Sequence, residues 1–382
     1  MRQVCEYEQC FGCGACYNIC LKNAISLGYD DWGNLIPRID QDKCVDCNMC
    51  KKVCPAIQKS CFKMPEAAYA AITKNEYDYA STSSGGIATA FSKHILYDKG
   101  IVYGASFVNG SAEVKHIRVD SLPDLEALKG SKYVQSNIGH VPKSVKQDLD
   151  SGRKVIFIGT PCQIDGLQLF LKKNYENLIT VNFVCHGVPS NRLFCEHVQQ
   201  IFDESQGLKI RFRLQNKFQL TIEKGSKSKS VPFYKDNYFL GFMRKLFYRN
   251  VCYQCKYAQP KRVGDLTIGD FWGFDSKKTF PAEHSKGLSL VLINTKKGHD
   301  FFETVKDELI FQKREVKEAI AGNPQLNYPS KRNVFFYRFR RLYLKYGFEK
   351  ASKRILWPYK IAYNINYIIQ RISKGIKDKK NI

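Results

Sequence analysis

Nowhere in the 382 residues do the roughly 18 to 20 consecutive apolar side chains of a membrane-spanning helix occur, so no bilayer-crossing segment is expected. The opening Met1-Arg2-Gln3-Val4-Cys5 lacks the apolar core of a secretory signal, which predicts a cytoplasmic chain with reduced thiols. Disulfides are therefore not expected, and an odd total of fifteen cysteines agrees with that. Also missing are a G-x-G-x-x-G after a strand and a Walker loop, which argues against an ordinary nucleotide-binding fold. Acidic residues are scarce near the C terminus. Residues 331–382 hold fifteen Lys or Arg against Glu349 and Asp378, so +13 of the net +24 lies there. No recognised nucleic-acid module accompanies this charge, and nucleic acid is not an expected partner.

What the chain does have is cysteine in a repeated spacing. Cys10, Cys13, Cys16 and Cys20 read C-x-x-C-x-x-C-x-x-x-C, and Cys44, Cys47, Cys50 and Cys54 repeat it before Pro55. In such a run three thiolates grip one iron-sulfur cube and the fourth serves its neighbour. The expected ligand sets are therefore Cys10, Cys13, Cys16 and Cys54 for one 4Fe-4S cluster, and Cys44, Cys47, Cys50 and Cys20 for the second. Cys5, Cys10 and Cys13 also fit the start of a 2Fe-2S motif, but the duplication outweighs it. Zinc needs four thiolates and leaves the third and fourth cysteines of each run unexplained. Leu21 stands where the second run has Pro55, which alters the turn but not the ligands.

A two-cluster module needs about 60 residues, so most of the chain must form something else. The expected fold class is α+β: a bacterial-type ferredoxin domain over 1–60, an α/β domain over 66–325, and a basic helical tail over 331–382. Residues 59–65 read as the linker, and Cys61 within it is assigned no role. A strand is expected over 66–73. Ser81-Thr82-Ser83-Ser84-Gly85-Gly86 then opens an apolar-periodic helix from Ile87. Hydroxyls and open N–H groups at a helix N-terminus suit a phosphate, and a serine N-cap is the plainer alternative. Paired strands are expected at 100–107 and 113–119, and helices at 142–149 and 298–309.

Two further strands, 154–159 and 178–184, run straight into Cys162 and Cys185. Cysteines thereby fall at carboxyl ends of strands, where open α/β sheets gather ligands. With Cys252 and Cys255 they would make one four-thiolate site. Spacing alone leaves a cube, a zinc ion or inert buried thiols open. Cys195, in the helix expected from Asn191, reads as core. In the tail, Ile365, Ile368, Ile369, Ile372 and Ile376 share one helical face while Arg371, Lys374 and Lys377 keep to the other. Such a helix either lies on an anionic membrane surface or packs on its own domain.

Ser84-Gly85-Gly86, Lys129-Gly130-Ser131-Lys132-Tyr133, Gly159-Thr160-Pro161-Cys162-Gln163, Cys185-His186-Gly187, Cys252-x-x-Cys255 and the stretch from Gly264-Asp265 to Gly273 together resemble the beta subunits of coenzyme F420 hydrogenases and dehydrogenases. The likeness covers the chain to about residue 325, with a fused two-cluster domain in front. It implies an FAD-dependent oxidoreductase with a third 4Fe-4S cluster on Cys162, Cys185, Cys252 and Cys255. It further implies that Ser84, Gly85, Gly86, Ser131, Lys132, Tyr133, Thr160 and Gln163 hold FAD. Lys132 is a candidate to stabilise negative charge on a reduced flavin, and His186 to donate a proton. Coenzyme F420 or another organic substrate would exchange the hydride. The alternative is a non-catalytic electron-transfer subunit of a larger redox complex. The basic surface points to anionic partners, an acidic ferredoxin, an anionic substrate or the inner face of a membrane.

Overall fold

The computed structural model describes residues 3–108, 110–202, 207–214, 217–275 and 279–379, with only the backbone for 214, 364 and 366–379. The N-terminal module is built on one antiparallel hairpin, β1 (Ile25–Tyr29) and β2 (Leu35–Ile39), flanked by the short helices Ala15–Ile19 and Met49–Lys52 that carry cysteines of the two runs. Gly14 and Asn48 precede these helices in the left-handed conformation, which turns the chain sharply between neighbouring ligands.

The second domain is a mixed sheet covered on both faces. Its strands are β3 (Ala67–Thr73), β4 (Ile101–Phe107), β5 (Val114–Val119), β6 (Val155–Gly159) and β7 (Leu178–Phe183). A three-stranded antiparallel meander follows: β8 (Lys209–Leu214), β9 (Lys217–Lys224) and β10 (Lys227–Pro232). The main sheet then resumes with β11 (Leu266–Asp270), β12 (Ser289–Ile293) and β13 (Leu309–Arg314). Its order is β13-β3-β12-β11-β7-β6-β4-β5, with β11, β7, β6 and β4 parallel. Strands β6, β7 and β12 are buried along almost their whole length because helices cover both faces of the sheet.

Helix Ile87–Tyr97 begins where expected, after Gly86 at φ +80°. Helix Lys296–Val305 ends sooner than the expected 298–309, and Leu309 instead opens β13. The apolar pattern cannot tell these apart locally. Pairing with β3, and burial of Leu309 against Phe302, decide in favour of the strand.

The C-terminal region is not a separate tail throughout. A long helix spans Phe336–Lys379 but is broken at Gly347, whose φ of 75° and ψ of 174° are not helical. Phe336, Phe339, Tyr343, Phe348, Ala351, Ile355 and Leu356 are buried in an aromatic core with Tyr238, Phe239, Phe242 and Phe247. The basic stretch therefore supplies core as well as charge. The side chains of Ile368, Ile369, Arg371, Ile372, Lys374, Ile376 and Lys377 lie outside the described residues.

Candidate functional site

Adjacent parallel strands β6 and β7 deliver two cysteines to one edge of the sheet. Cys162 sits in the first turn of helix Pro161–Leu171, and Cys185 lies two residues beyond β7. Cys252 and Cys255 come from the turn Asn250–Gln254 and the residue after it. All four line one cavity of about 540 Å³, together with Phe11, His186, Arg249, Tyr257, Arg262 and Gln325. Burial pushes the Cys162 and Cys185 thiols up to about 12, and raises Cys252 and Cys255 as well. At neutral pH the four thiols are thus protonated unless a positively charged centre joins them.

Two cations stand in the cavity wall. Arg249 is 3% exposed and Arg262 2%. Arg249 donates to the Cys10 carbonyl (2.5 Å), the Leu35 carbonyl (2.8 Å) and Gln135 Oε1 (2.9 Å). Arg262 donates to the Tyr257 and Gln259 carbonyls at 2.8 and 3.2 Å. Among the described residues neither meets a carboxylate. A buried guanidinium without an anion is costly, so the arrangement calls for negative charge inside the cavity. Four thiolates on an iron-sulfur cube, carrying about −2 in all, fit this donor set and these two cations. Gln325 Oε1 is also buried there without a hydrogen-bond partner.

A second cavity, of about 370 Å³, gathers Cys10, Cys13, Cys16 and Cys54 from the two runs. Cys5, set aside on its spacing, lines it too. Its thiol hydrogen-bonds Cys10 and Cys54 and is itself raised. That contact first, and the Arg249 charge after the opposing cost of burial, hold Cys10 down to about 6. The other four cysteines are more open: Cys47 is exposed, and Cys20, Cys44 and Cys50 are half-buried. Cys20 and Cys50 pack in the same small apolar cluster as Cys16 and Cys54. Burial raises Cys50, with smaller contributions from Cys47 and Cys44. Cys61 is exposed, and Cys195 packs at the margin of the aromatic core.

The two cavities share a wall. Phe11 lines both, and helix Pro161–Leu171 meets the first run so closely that a Cβ at Gly166 would stand 2.8 Å from Cys13 Sγ. Buried Asp165, on the same helix, accepts from Ser60 and from Tyr257 (2.6 Å). It thereby fastens the linker beside the cysteine-bearing turn.

The eight residues implicated in FAD binding are only partly brought together. Ser131 N donates to Ser83 Oγ (2.8 Å), joining the Ser-Gly-Gly loop to the 129–133 segment. Lys129 reinforces that junction through buried Asp78 at 2.9 Å. Ser84 Oγ is buried with no partner, and helix Ile87–Tyr97 has no side-chain cap. Gly85 has an internal reason to be glycine, since a Cβ there would lie 2.3 Å from the Ala71 carbonyl. Thr160 and Gln163 form a capping box, and Gln163 Nε2 bonds Ser136 Oγ at 3.0 Å. Thr160 Oγ1 also lies 3.1 Å from Cys162 Sγ. The Tyr133 ring stacks on Phe242 at 4.6 Å.

The two catalytic candidates lie in different surroundings. The Lys132 ammonium donates to the Leu128 and Lys129 carbonyls at 2.7 and 2.9 Å, while burial pulls it down to about 7. His186 does line the four-cysteine cavity, but burial and then Lys245 hold it near 4, so it is a neutral imidazole at pH 7. Residues with no motif to announce them complete the edge. Arg213 of β8 pairs with Asp270 at the end of β11 (2.7 Å), tying the meander to the sheet, and its Nε is buried without a partner. Arg213, Arg249 and Arg262 were invisible in the sequence because lone arginines abound in a basic chain.

A doubled cysteine module docked on an α/β domain with its own buried four-cysteine cavity defines an iron-sulfur redox protein. Residues 9–57 match the family model of the 4Fe-4S dicluster domain. Residues 152–319 match that of the coenzyme F420 hydrogenase/dehydrogenase beta subunit, C terminus. Over these two stretches the chain is similar to those families, which supports an iron-sulfur redox protein related to the F420 hydrogenase beta subunit. No curated protein matches it. Among solved structures it is similar to a chain of the F420-reducing [NiFe] hydrogenase complex from Methanosarcina barkeri, determined as a xenon derivative. The identity is 17% and the TM-score 0.45, over 76% of this chain and 91% of that one.

Proposed function

We propose that this protein is an iron-sulfur flavoprotein oxidoreductase that moves electrons between its dicluster module and an organic substrate. The carrying observation is the shared wall between the Cys10, Cys13, Cys16 and Cys54 cavity and the Cys162, Cys185, Cys252 and Cys255 cavity. Support for a third cube on the latter set comes from the two buried arginines without carboxylates.

FAD is assigned to the carboxyl edge of the sheet. Buried Ser84 Oγ and Arg213 Nε lack partners there, and the uncapped start of helix Ile87–Tyr97 offers N–H groups to a phosphate. When bound, cubes supply one-electron transfer and a flavin supplies hydride exchange. The chain's own residues exclude water and set charge: Phe11 and Tyr257 shield the thiols, and Arg249 and Arg262 offset their negative charge. Lys132 acts by fixing the 127–129 backbone, not by meeting a substrate. The basic surface selects an anionic substrate and an acidic electron-carrier partner. Coenzyme F420 satisfies the first condition.

The helix past Leu356 is assigned to an anionic lipid surface. Trp357, Ile361 and Ile365 form a stripe 59%, 48% and 50% exposed, whereas Tyr359 and Tyr363 turn inward over Arg244. Apolar exposure beside net charge of +13 over 331–382 suits lipid headgroups better than a neutral partner.

Anaerobic purification with iron, sulfide and flavin analysis tests the central reading. About twelve irons and one FAD per chain are expected. Cys162→Ser should lower iron to about eight and leave the dicluster signals intact. Eight irons and no flavin in the natural protein would overturn the assignment.

A further inference from the structure

Arg249 lines the four-cysteine cavity and reaches across to the Cys10 loop that borders the other. From the four-cysteine side it lies in the wall, and its carbonyl accepts from Cys252 N at 2.9 Å. From the other side its Nε holds the Cys10 carbonyl at 2.5 Å and its Nη2 holds Leu35 at the start of β2. Gln135 completes the clamp, accepting from Arg249 Nη1 (2.9 Å) and donating to the Phe11 carbonyl (3.0 Å). Gly12 is glycine for this reason. Its φ is +67°, and a Cβ would lie 2.7 Å from Arg249 Nη1 and 2.6 Å from Gln135 Nε2. One guanidinium thus fixes the loop of the first cysteine run against the turn that carries Cys252 and Cys255.

Its charge has no protein counter-ion among the described residues. A fixed cation in a poorly solvated wall stabilises whichever neighbouring state is more negative. One-electron reduction of a cube with four thiolates takes the total from about −2 to about −3. A cation on the shared wall therefore raises the reduction potential on both sides. Hydrogen bonds and charge near the sulfurs are among the factors that set such potentials.

We propose that Arg249 is a positioning residue shared by two clusters, which locks their cavities together and raises the reduction potential of both relative to the Cys20, Cys44, Cys47 and Cys50 centre. This rests on the reading of the four-cysteine cavity as a cluster site. The exchange it serves balances without a third reactant, since the electron lost on one side of the wall is gained on the other and no proton is needed. Arg262 differs, because its side-chain donors reach only the 257–267 segment.

The test is an EPR-monitored redox titration of the full-length holoprotein, natural and with Arg249→Gln or Arg249→Lys, iron content being measured on each sample. In Arg249→Gln two of the three centres should favour the oxidised form about tenfold more, a shift of about 59 mV to more negative potential. The third centre, which Arg249 does not touch, should stay put. Arg249→Lys keeps the charge and should recover at least half of the shift. If Arg249→Gln loses iron, Arg249→Lys with full iron and near-natural potentials sustains the proposal. Unchanged potentials in a fully loaded Arg249→Gln protein overturn it, as do equal shifts at all three centres or iron loss in both variants. Failure of the underlying reading shows separately, as only two cluster signals in the natural protein.

Discussion

Removing the metal should expose the two buried arginines as a source of instability, and substituting one of them should then help. At pH 7 the empty four-cysteine cavity holds protonated thiols, because burial puts Cys162 and Cys185 at about 12. Arg262, 2% exposed, keeps its charge, since its depressed pKa still lies at about 10. Removing the partner of a buried charge costs on the order of 3–5 kcal/mol. Arg262→Met should therefore destabilise the iron-loaded protein by about 3 kcal/mol or more. In the iron-free protein the same change relieves the stranded cation. It loses the bonds to Tyr257, Gln259 and Thr267, each contributing roughly 1 kcal/mol. The two effects nearly cancel, so the iron-free variant should match or exceed the iron-free parent. Anaerobic urea denaturation followed by circular dichroism, on both proteins with and without iron, gives the four midpoints. An Arg262→Met variant that loses as much stability without iron as with it would refute the argument, because the cation would then need no anion in the cavity.

His197, sandwiched between Asp236 (2.7 Å) and Glu349 (3.9 Å), has its pKa raised to about 9 despite burial, Asp236 being the main cause. Its folded pKa lies above the ordinary value near 6.5, so its contribution, on the order of 3 kcal/mol, is complete below that pH and disappears as pH rises through about 9. Thermal melts of the holoprotein from pH 6.5 to 10 should show this loss, and His197→Gln should flatten it; parallel profiles would rule the triad out. Ser84→Leu, which fills the space beside the unpartnered hydroxyl, should lower FAD content at least tenfold with iron unchanged, as measured after denaturation. Undiminished flavin would move the site elsewhere. Trp357→Glu with Ile361→Glu should abolish sedimentation with phosphatidylserine-containing vesicles, while the parent binds these and not neutral ones; equal binding by both proteins would exclude the stripe.

The cysteine runs, the strand ends that carry Cys162 and Cys185, and the glycine-led start of helix Ile87–Tyr97 were legible in the sequence. Each depends on spacing or conformation within a few residues, and such local constraints survive without knowledge of the rest of the fold. By the same logic the end of helix Lys296–Val305 was misjudged, because an apolar Leu309 suits helix and strand equally until β3 supplies its partner. The basic C-terminal stretch read as a tail since its charge is local, whereas burial of Phe339, Tyr343 and Phe348 is a property of packing. Site roles divide likewise. Thr160 and Gln163 were correctly placed at a helix start, but only the fold shows their polar groups spent on a capping box and on Ser136. Cys5 entered the dicluster cavity, and Arg249 and Arg262 entered the Cys162, Cys185, Cys252 and Cys255 cavity, through contacts between segments up to 239 residues apart. The candidate ligands were thus legible in the sequence, because iron-sulfur chemistry dictates which residue types recur at which spacing. The charges that balance those ligands were decided by tertiary structure alone, since electrostatic fields act through space and ignore the order of the chain.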